Sequence, residues 1–208
     1  MLNQLISALF AASLLFRGEI NATSSAQKDI NSLLKWETVA SQSIDLSYRY
    51  PEQGISEGFK ENILIAVDYL NKINDGVIIL NPNEVFSFHK NILPEYANYK
   101  IVTQESGFIV KDGYKTVAGL GGNGVCHLAS LMNWTAQEAG LEVRSEVDHS
   151  FANIPGVDPK YGTSIKYIPS GGLNSQRQNL YIKNNKEYPV WFLFELEGES
   201  LRFSILKF

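Results

Sequence analysis

The feature that most constrains the fold is a glycine-rich stretch, residues 119–124, that leads directly into the only cysteine of the chain, Cys126. Glycine and small turn formers allow φ > 0 and close approach of other groups, so a tight bend is predicted here. Apolar residues then recur at helical spacing from Leu128 and stop at Gly140, where a helix C-terminal glycine belongs. The pattern predicts a helix with Cys126 at or near its N-terminus.

Cys126 has two interpretations at this position. The unpaired N–H groups and positive partial charge of a helix N-terminus favour a thiolate, the nucleophilic form of cysteine. Backbone N–H groups of the preceding loop could then hold an oxyanion. The loop residues in question are Gly121, Gly122, Asn123 and Gly124. In the other interpretation, Cys126 is a small buried residue and the loop is only a tight connection.

A cysteine nucleophile also needs a base, and His149 is the candidate. It follows a predicted strand, residues 141–147, that comes directly after the cysteine helix. A helix and the next strand commonly pack antiparallel, so His149 is expected to return to the level of Cys126; the alternative is a strand-end histidine bonded to backbone. His127 adjoins Cys126, but successive helix residues do not face each other. We therefore predict that His127 is a wall residue or a second hydrogen-bond donor.

Composition excludes several classes of protein. The 208 residues suffice for one domain of ordinary size, and 44% hydrophobic residues are typical of a globular chain. A net charge of −4 without a basic stripe gives no electrostatic footprint for nucleic acid. A single cysteine excludes an intramolecular disulfide.

The N-terminus carries an uncharged apolar run at residues 5–16, followed by Arg17. A membrane span needs about 20 apolar residues, whereas a signal-peptide core has roughly 7–15. We therefore predict export, with a buried first helix of a cytoplasmic protein as the alternative. The expected organisation is a leader (signal peptide or anchor) at residues 1–17, a linker and peripheral segment at 18–55, and one domain at 56–208, with membrane contact only through the leader.

The remaining pattern predicts an α+β fold in which the central cysteine-bearing helix packs on a mainly antiparallel sheet and the C-terminal third is rich in strands. Ser56 is the predicted N-cap of a helix over residues 57–73, and Asp112-Gly113 predicts a hairpin. His89 is predicted to be a solvated loop residue. Strands are predicted at residues 44–50, 77–80, 84–88, 163–168, 179–182, 188–196 and 201–206.

Four stretches resemble, in order, the signature of the VanW domain. The run from the glycine loop through Cys126 to Gly140 and Leu141 is similar to the family's G-G-G-I-C-Q-V-S-S-T-L-Y-N-A-x-L-x-A-G-L without a gap. The other three resemble the motifs N-P-G-E-V-F-S-F, E-R-H-x-H-S and L-K-F-x-N-N-T-x-Y-P-I. They lie at residues 81–88, 146–150 and 180–190. The resemblance covers about residues 57 to 208.

The resemblance implies an extracytoplasmic protein of the bacterial cell envelope, since VanW-domain proteins occur there and in glycopeptide-resistance gene clusters. Some members look like unconventional L,D-transpeptidases, in which the cysteine is acylated by a peptidoglycan tetrapeptide stem and an amine acceptor resolves the acyl-enzyme. We therefore expect cysteine-dependent acyl transfer on peptidoglycan peptides. The alternative is a non-catalytic wall-binding or accessory domain, with Trp134, Tyr161 and Tyr167 forming a ligand groove.

The resemblance leaves open which residue orients His149. The family has an aspartate after the histidine, and both Asp158 and Asn174 lie in segments that match part of that pattern. Ser130 and Ser150, within the matching motifs, are expected to line the site. Side chains of the type that bind metals occur at Cys126, His127, His149 and Asp158, but their spacing fits no zinc pattern. We therefore expect neither a metal nor a cofactor.

Overall fold

The computed structural model describes residues 37–47, 50–117, 119–150 and 152–207. The predicted leader lies outside the described residues, and the boundary at residue 56 stays a prediction. No helix within the described ranges has the length and apolar character needed to cross a bilayer.

Ten strands and three α-helices make up the described fold. The helices are α1 (Gln53–Asn71), α2 (Val125–Glu138) and α3 (Leu173–Arg177). The strands are β1 (Glu37–Asp45), β2 (Ile78–Leu80), β3 (Val85–Ser87), β4 (Ile101–Thr103), β5 (Thr116–Val117), β6 (Leu120–Gly121), β7 (Glu142–Arg144), β8 (Tyr181–Lys183), β9 (Val190–Glu197) and β10 (Ser200–Lys207). Short 3-10 turns lie at Ile73–Gly76, Pro94–Tyr96, Val110–Asp112 and Pro159–Tyr161.

The larger sheet is antiparallel and has the strand order β1-β10-β9-β2. Along its longest strands, side chains point alternately to the core and to the other face, as a half-buried sheet requires. In β10 the side chains of Leu201, Phe203 and Ile205 point into the core. Phe192 of β9 joins them, with its ring 5.3 Å from that of Phe203. The alternation thus gives the sheet one apolar face for a helix to cover.

The second sheet has the order β4-β3-β8-β7, in which only the β3–β4 pair is parallel. The strands β2 and β3 are close in sequence and were both predicted as strands, and they belong to different sheets. Because β7 follows α2 directly and pairs with β8, it ties the helix to the C-terminal third of the chain.

Helix α2 lies at the centre, packed on β1 and β10 of one sheet, on β7 of the other and on α1. Leu128, Leu131 and Met132 of its apolar stripe are fully buried. The helix ends as predicted: Gly140 has φ +66°, and the Leu141 amide donates to the Ala136 carbonyl at 3.0 Å, closing a Schellman motif. The predicted α+β class with a central cysteine helix is confirmed.

Three local predictions were wrong. Helix α1 begins at Gln53, so Ser56 is a buried residue inside it and not its N-cap. No hairpin forms at Asp112-Gly113. Asp112 ends a 3-10 turn, Gly113 follows it with φ +91°, and strand β5 pairs with β6 instead of with residues 105–111. Residues 163–168 form no strand. The amides of Thr163, Ile165 and Ile168 donate to side chains of α2 and α3, and the other two amides that bond, those of Ser164 and Lys166, donate to single carbonyls of other segments.

Candidate functional site

The glycine loop before α2 packs tightly against two other backbone segments. Gly124 is the N-cap residue of α2 and has φ +109°. A Cβ at Gly124 would lie 2.6 Å from the Phe59 carbonyl oxygen, and one at Gly122, which has φ +70°, would lie 2.9 Å from that of Phe108. A side chain at either position would be strained and would collide with main-chain atoms. The loop therefore fixes where α2 begins.

Two asparagines hold this loop in place. Asn62 of α1 is fully buried; its Nδ2 donates to the Asn123 carbonyl at 2.9 Å, and its Oδ1 accepts from the Lys115 amide at 2.7 Å. The side chain of Asn123 donates to the Val117 carbonyl at 2.9 Å. Asn62 was not among the predicted site residues, although an amide beside the apolar stripe of a helix is the signal of such a clamp.

The Cys126 thiol lies against the backbone of Ile165. The Ile165 amide donates to Sγ at 3.3 Å, and the thiol in turn donates to the Ile165 carbonyl at 3.8 Å. The residue keeps intermediate exposure. Burial of the thiol nevertheless raises its pKa to about 11, against the opposing hydrogen bonds from the amides of Ile165 and of Cys126 itself.

The predicted resting thiolate is therefore wrong for this conformation. A helix terminus favours an anion by about 0.3–1 kcal/mol in most settings, which is less than the cost of removing a thiolate from water. In the resting protein Cys126 is a neutral thiol held by Ile165.

Thiol alkylation checks this state. The rate with iodoacetamide is expected to keep rising, about tenfold per pH unit, from pH 7 to 10, because the thiolate fraction grows throughout that range. His149→Ala should leave the profile unchanged, since the hydrogen bonds of the resting thiol involve Ile165 and Cys126 itself and not His149. A profile that levels off below about pH 8.5 and shifts upward in His149→Ala would contradict a masked resting thiol.

Ile165 is placed by an extended segment, residues 161–168, that runs along α2. The Thr163 amide donates to Ser130 Oγ at 2.8 Å, and Ser130 Oγ donates to the Cys126 carbonyl at 2.7 Å. Asn133 Nδ2 donates to the Tyr161 carbonyl at 3.0 Å. Ser130, predicted to line the site, thus bridges the helix turn of Cys126 to this segment. Sequence reasoning missed Ile165, because its contribution is backbone.

His149 follows β7 and is oriented by main chain. Its Nδ1 lies 2.8 Å from the Ala152 carbonyl oxygen. A carbonyl only accepts, so Nδ1 carries the proton of the neutral ring and Nε2 keeps the lone pair of a base. Gly162 packs beside it: a Cβ there would lie 3.3 Å from His149 Cβ. The segment that holds Ile165 at the thiol therefore also supports His149.

The two residues considered as orienting groups make other hydrogen bonds. Asp158 Oδ1 accepts from the Lys160 amide at 3.0 Å, as the N-cap of a 3-10 turn. Asn174 Oδ1, on α3, accepts from Gln178 Nε2 at 2.9 Å. The Ala152 carbonyl occupies the orienting position at His149 Nδ1, which sequence matching of side chains could not reveal.

His127 forms a buried wall between His149 and Tyr50. The residue is 1% exposed, its ring lies 6.1 Å from the ring of His149, and its Nε2 lies 3.4 Å from the hydroxyl oxygen of Tyr50. Phe59 packs on it at 5.2 Å between ring centroids. This position agrees with the predicted wall residue, since His127 contacts both Tyr50 and His149. A role of His127 as a second hydrogen-bond donor in the reaction stays a prediction.

A cleft of about 230 Å³, hereafter the His149 cleft, opens beside this histidine. Asp158 and Ser150, both predicted site residues, line it. Its remaining lining comes from Asp148, Ala152, Asn153, Ile154, Val157, Pro159 and Gly162. The predicted aromatic groove is not continuous, because Trp134 and Tyr161 stack on each other at 5.7 Å whereas Tyr167 packs on His89.

His89 is fully buried, which corrects the prediction of a solvated loop residue. Nε2 lies 2.9 Å from the Gln178 carbonyl oxygen, to which it donates, and Nδ1 accepts from the Asn91 amide at 3.3 Å. Burial lowers its pKa from 6.5 to about 4. His89 is therefore neutral and structural at physiological pH.

This shift predicts a pH-dependent loss of stability. Between pH 6.5 and about 4 the unfolded chain binds a proton that the folded chain does not, so the free energy of unfolding falls as pH falls through that window. The contribution of His89 is about 3 kcal/mol. His89→Gln retains a donor toward Gln178 and does not titrate. Urea unfolding should therefore show that the free energy of unfolding falls between pH 7 and pH 4 by about 3 kcal/mol less in His89→Gln than in the wild type. Equal drops in both proteins would contradict the assignment.

Together these features define an α+β domain with a thiol at the start of its central helix and a backbone-oriented imidazole that packs on the neighbouring residue, His127. The family model described as "VanW like protein" matches residues 59–206. The chain therefore belongs to the VanW-like family, which confirms the resemblance of the four motifs. No curated protein and no solved structure matches the chain significantly.

Proposed function

We propose that this VanW-like domain catalyses cysteine-dependent acyl transfer on peptidoglycan peptides, in the manner of an L,D-transpeptidase. The observation that carries the proposal is the state of His149, whose Nδ1 is bonded to a carbonyl so that Nε2 is the basic nitrogen. The His149 ring packs on His127, the residue that follows Cys126, the only cysteine of the chain. Family membership supports the same chemistry.

The proposed reaction begins when the carbonyl oxygen of a donor peptide takes the hydrogen bond of the Ile165 amide from the thiol sulfur. His149 Nε2 then takes the thiol proton, and the thiolate attacks the carbonyl carbon of the bond to the terminal D-amino acid. The C–N bond breaks, and the leaving amine receives the proton from the imidazolium. An acceptor amine next attacks the thioester and gives its proton to His149, the C–S bond breaks, and His149 passes the proton to the leaving thiolate.

Two backbone amides are suited to hold the oxyanion in this scheme. The amides of Cys126 and Ile165 both lie at the sulfur in the resting protein. We therefore assign the oxyanion site to the amides of Cys126 and Ile165, in addition to the loop amides considered above.

The proposed place of action is outside the cytoplasmic membrane, where peptidoglycan lies. The apolar run at residues 5–16 supports export. The proposed reaction uses only groups of the protein and its two substrates, without a cofactor.

The test is incorporation of isotopically labelled D-alanine into an unlabelled disaccharide tetrapeptide, followed by mass spectrometry. The wild-type protein is expected to exchange the terminal residue, and Cys126→Ser to show no exchange, since the hydroxyl is a far weaker nucleophile without a thiolate. Tetrapeptide binding by both proteins with no exchange by either would instead favour the non-catalytic wall-binding domain.

A further inference from the structure

The extended chain at residues 161–166, hereafter the strap, is held along both of its edges. On one edge, alternate residues bond to side chains of α2. The pairs are Tyr161 with Asn133, Thr163 with Ser130, and Ile165 with Cys126. On the other edge, the amides of Ser164 and Lys166 donate to the carbonyls of Val147 and Gln178, each at 2.9 Å. The strap is therefore bonded like a strand, with a row of helix side chains in place of one neighbouring strand.

The spacing of the three helix side chains matches the spacing of the strap. Cys126, Ser130 and Asn133 follow one another at i, i+4 and i+7, so they lie on one face of α2. Seven residues of helix rise about 10.5 Å, and the four steps from Tyr161 to Ile165 span about 13 Å when extended. Each helix side chain therefore meets one residue on the same edge of the strap. A slip by one residue would turn the other edge to the helix.

Ser130 is the central contact of this row and uses its hydroxyl twice. Its Oγ accepts from the Thr163 amide at 2.8 Å and donates to the Cys126 carbonyl at 2.7 Å. Asn133 adds bonds to the Tyr161 carbonyl and to Thr163 Oγ1, each at 3.0 Å. Ser130 and Thr163 are fully buried, so removal of the Ser130 hydroxyl would leave a buried amide without its acceptor. The closed position of the strap depends on these two side chains.

The strap contacts the chain that carries the proposed base as well as the thiol. The Ile165 amide lies 3.3 Å from Cys126 Sγ. Three residues earlier, a Cβ at Gly162 would lie 3.3 Å from His149 Cβ. The bond of the strap to the Val147 carbonyl lies two residues before His149. One segment thus positions an amide at the sulfur and packs against the base, so a change in its register would move both.

We propose that Ser130 and Asn133 are positioning residues of the acyl transfer. They hold the strap in the register that keeps the Ile165 amide at the sulfur and Gly162 against His149. The inference rests on the proposed function, in which the Ile165 amide holds the oxyanion and His149 is the base. It also has a consequence that needs no reaction: the strap lies against the thiol, so its release exposes the sulfur to solvent.

Removal of one buried hydroxyl tests the role of Ser130. The variant is Ser130→Ala, and the matched control on the same helix is Thr135→Val. Thr135 is also fully buried, and its hydroxyl also donates to the carbonyl four residues earlier, that of Leu131, at 2.9 Å. Within the described part of the chain, Thr135 makes no hydrogen bond to the strap. Asn133→Ala is a second variant that loosens the strap, and near-UV circular dichroism establishes that each protein is folded.

The first measurement is the rate at which iodoacetamide alkylates Cys126 in the full chain at pH 8. Ser130→Ala and Asn133→Ala are each expected to react about tenfold or more faster than the wild type, because the loosened strap exposes the sulfur. Thr135→Val should react within about twofold of the wild-type rate, since it loses a buried hydroxyl but keeps the strap in place. Equal rates for Ser130→Ala and Thr135→Val would overturn the hold of Ser130 on the strap.

The second measurement is exchange of labelled D-alanine into the disaccharide tetrapeptide. Ser130→Ala should lower kcat about tenfold or more and change KM for the tetrapeptide less than about threefold, because misplaced groups slow the chemical step. Thr135→Val should keep both constants within about twofold. Wild-type exchange with kcat unchanged in Ser130→Ala, or with a loss confined to KM, would overturn the positioning role alone. Absence of wild-type exchange would overturn the proposed function and the positioning role with it, whereas the alkylation rates decide the hold on the strap in either case.

Discussion

His149→Ala is expected to slow D-alanine exchange by about 10²–10⁴-fold, the usual contribution of a general base. The buried thiol has its pKa raised to about 11, so at neutral pH it depends on an external base to lose its proton. The Ala152 carbonyl accepts from Nδ1 of His149, so Nε2 is the nitrogen assigned to take the thiol proton. The measurement is kcat/KM for the tetrapeptide at pH 7.

The matched control is His89→Gln, which changes a fully buried histidine at a place that does not take part in the proposed chemistry. It should keep the exchange rate within about twofold at pH 7, where His89 is neutral in the fold. If His149→Ala retained the wild-type rate while His127→Ala lost it, the base would be His127, and the proposed assignment would fail.

Asn179→Ala is expected to lower the free energy of unfolding by about 4 kcal/mol, the largest stability effect that we predict. Asn179 is fully buried, and its Oδ1 accepts from the amides of His89 at 3.1 Å and Leu180 at 2.9 Å. Its Nδ2 donates to Ser87 Oγ at 2.9 Å and to the Asn91 carbonyl at 3.1 Å. Alanine would leave several buried polar groups without partners and open a cavity.

The comparison is urea unfolding of the wild type, Asn179→Ala and Asn174→Ala. Asn174 lies on the exposed side of α3, and its substitution should change stability by less than about 0.5 kcal/mol. A loss for Asn179→Ala no greater than that for Asn174→Ala would show that the buried amide contributes no more than a surface residue.

Much of the fold could be predicted because its signals are local. The spacing from Leu128 to Gly140 predicted helix α2, and the glycine before Cys126 predicted its start, since only a residue that tolerates φ > 0 fits there. The alternation in β9 and β10 likewise predicted strands. These elements follow from backbone sterics and periodic burial, which the sequence displays directly.

The site was harder to predict because its key groups are backbone atoms brought together over long distances. Residues 163–168 alternate like a strand, but side chains of Ser130, Cys126 and Ser175 accept from three of their amides, so no ladder forms. The carbonyl of Ala152 orients His149, whereas sequence reasoning can compare only side chains such as Asp158. The helix N-terminus suggested a thiolate, yet burial of Cys126 outweighs it, and burial depends on the whole fold.

The measurement that tests the central claim most directly is the intact mass of the protein after brief exposure to the disaccharide tetrapeptide without an acceptor. The account predicts a covalent adduct with the mass of the tetrapeptide less its terminal D-alanine, mapped to Cys126 by peptide fragmentation and released by hydroxylamine as a thioester. A wild-type protein that binds the tetrapeptide yet gains no mass, while the unfolded protein's thiol alkylates normally, would contradict a nucleophilic Cys126.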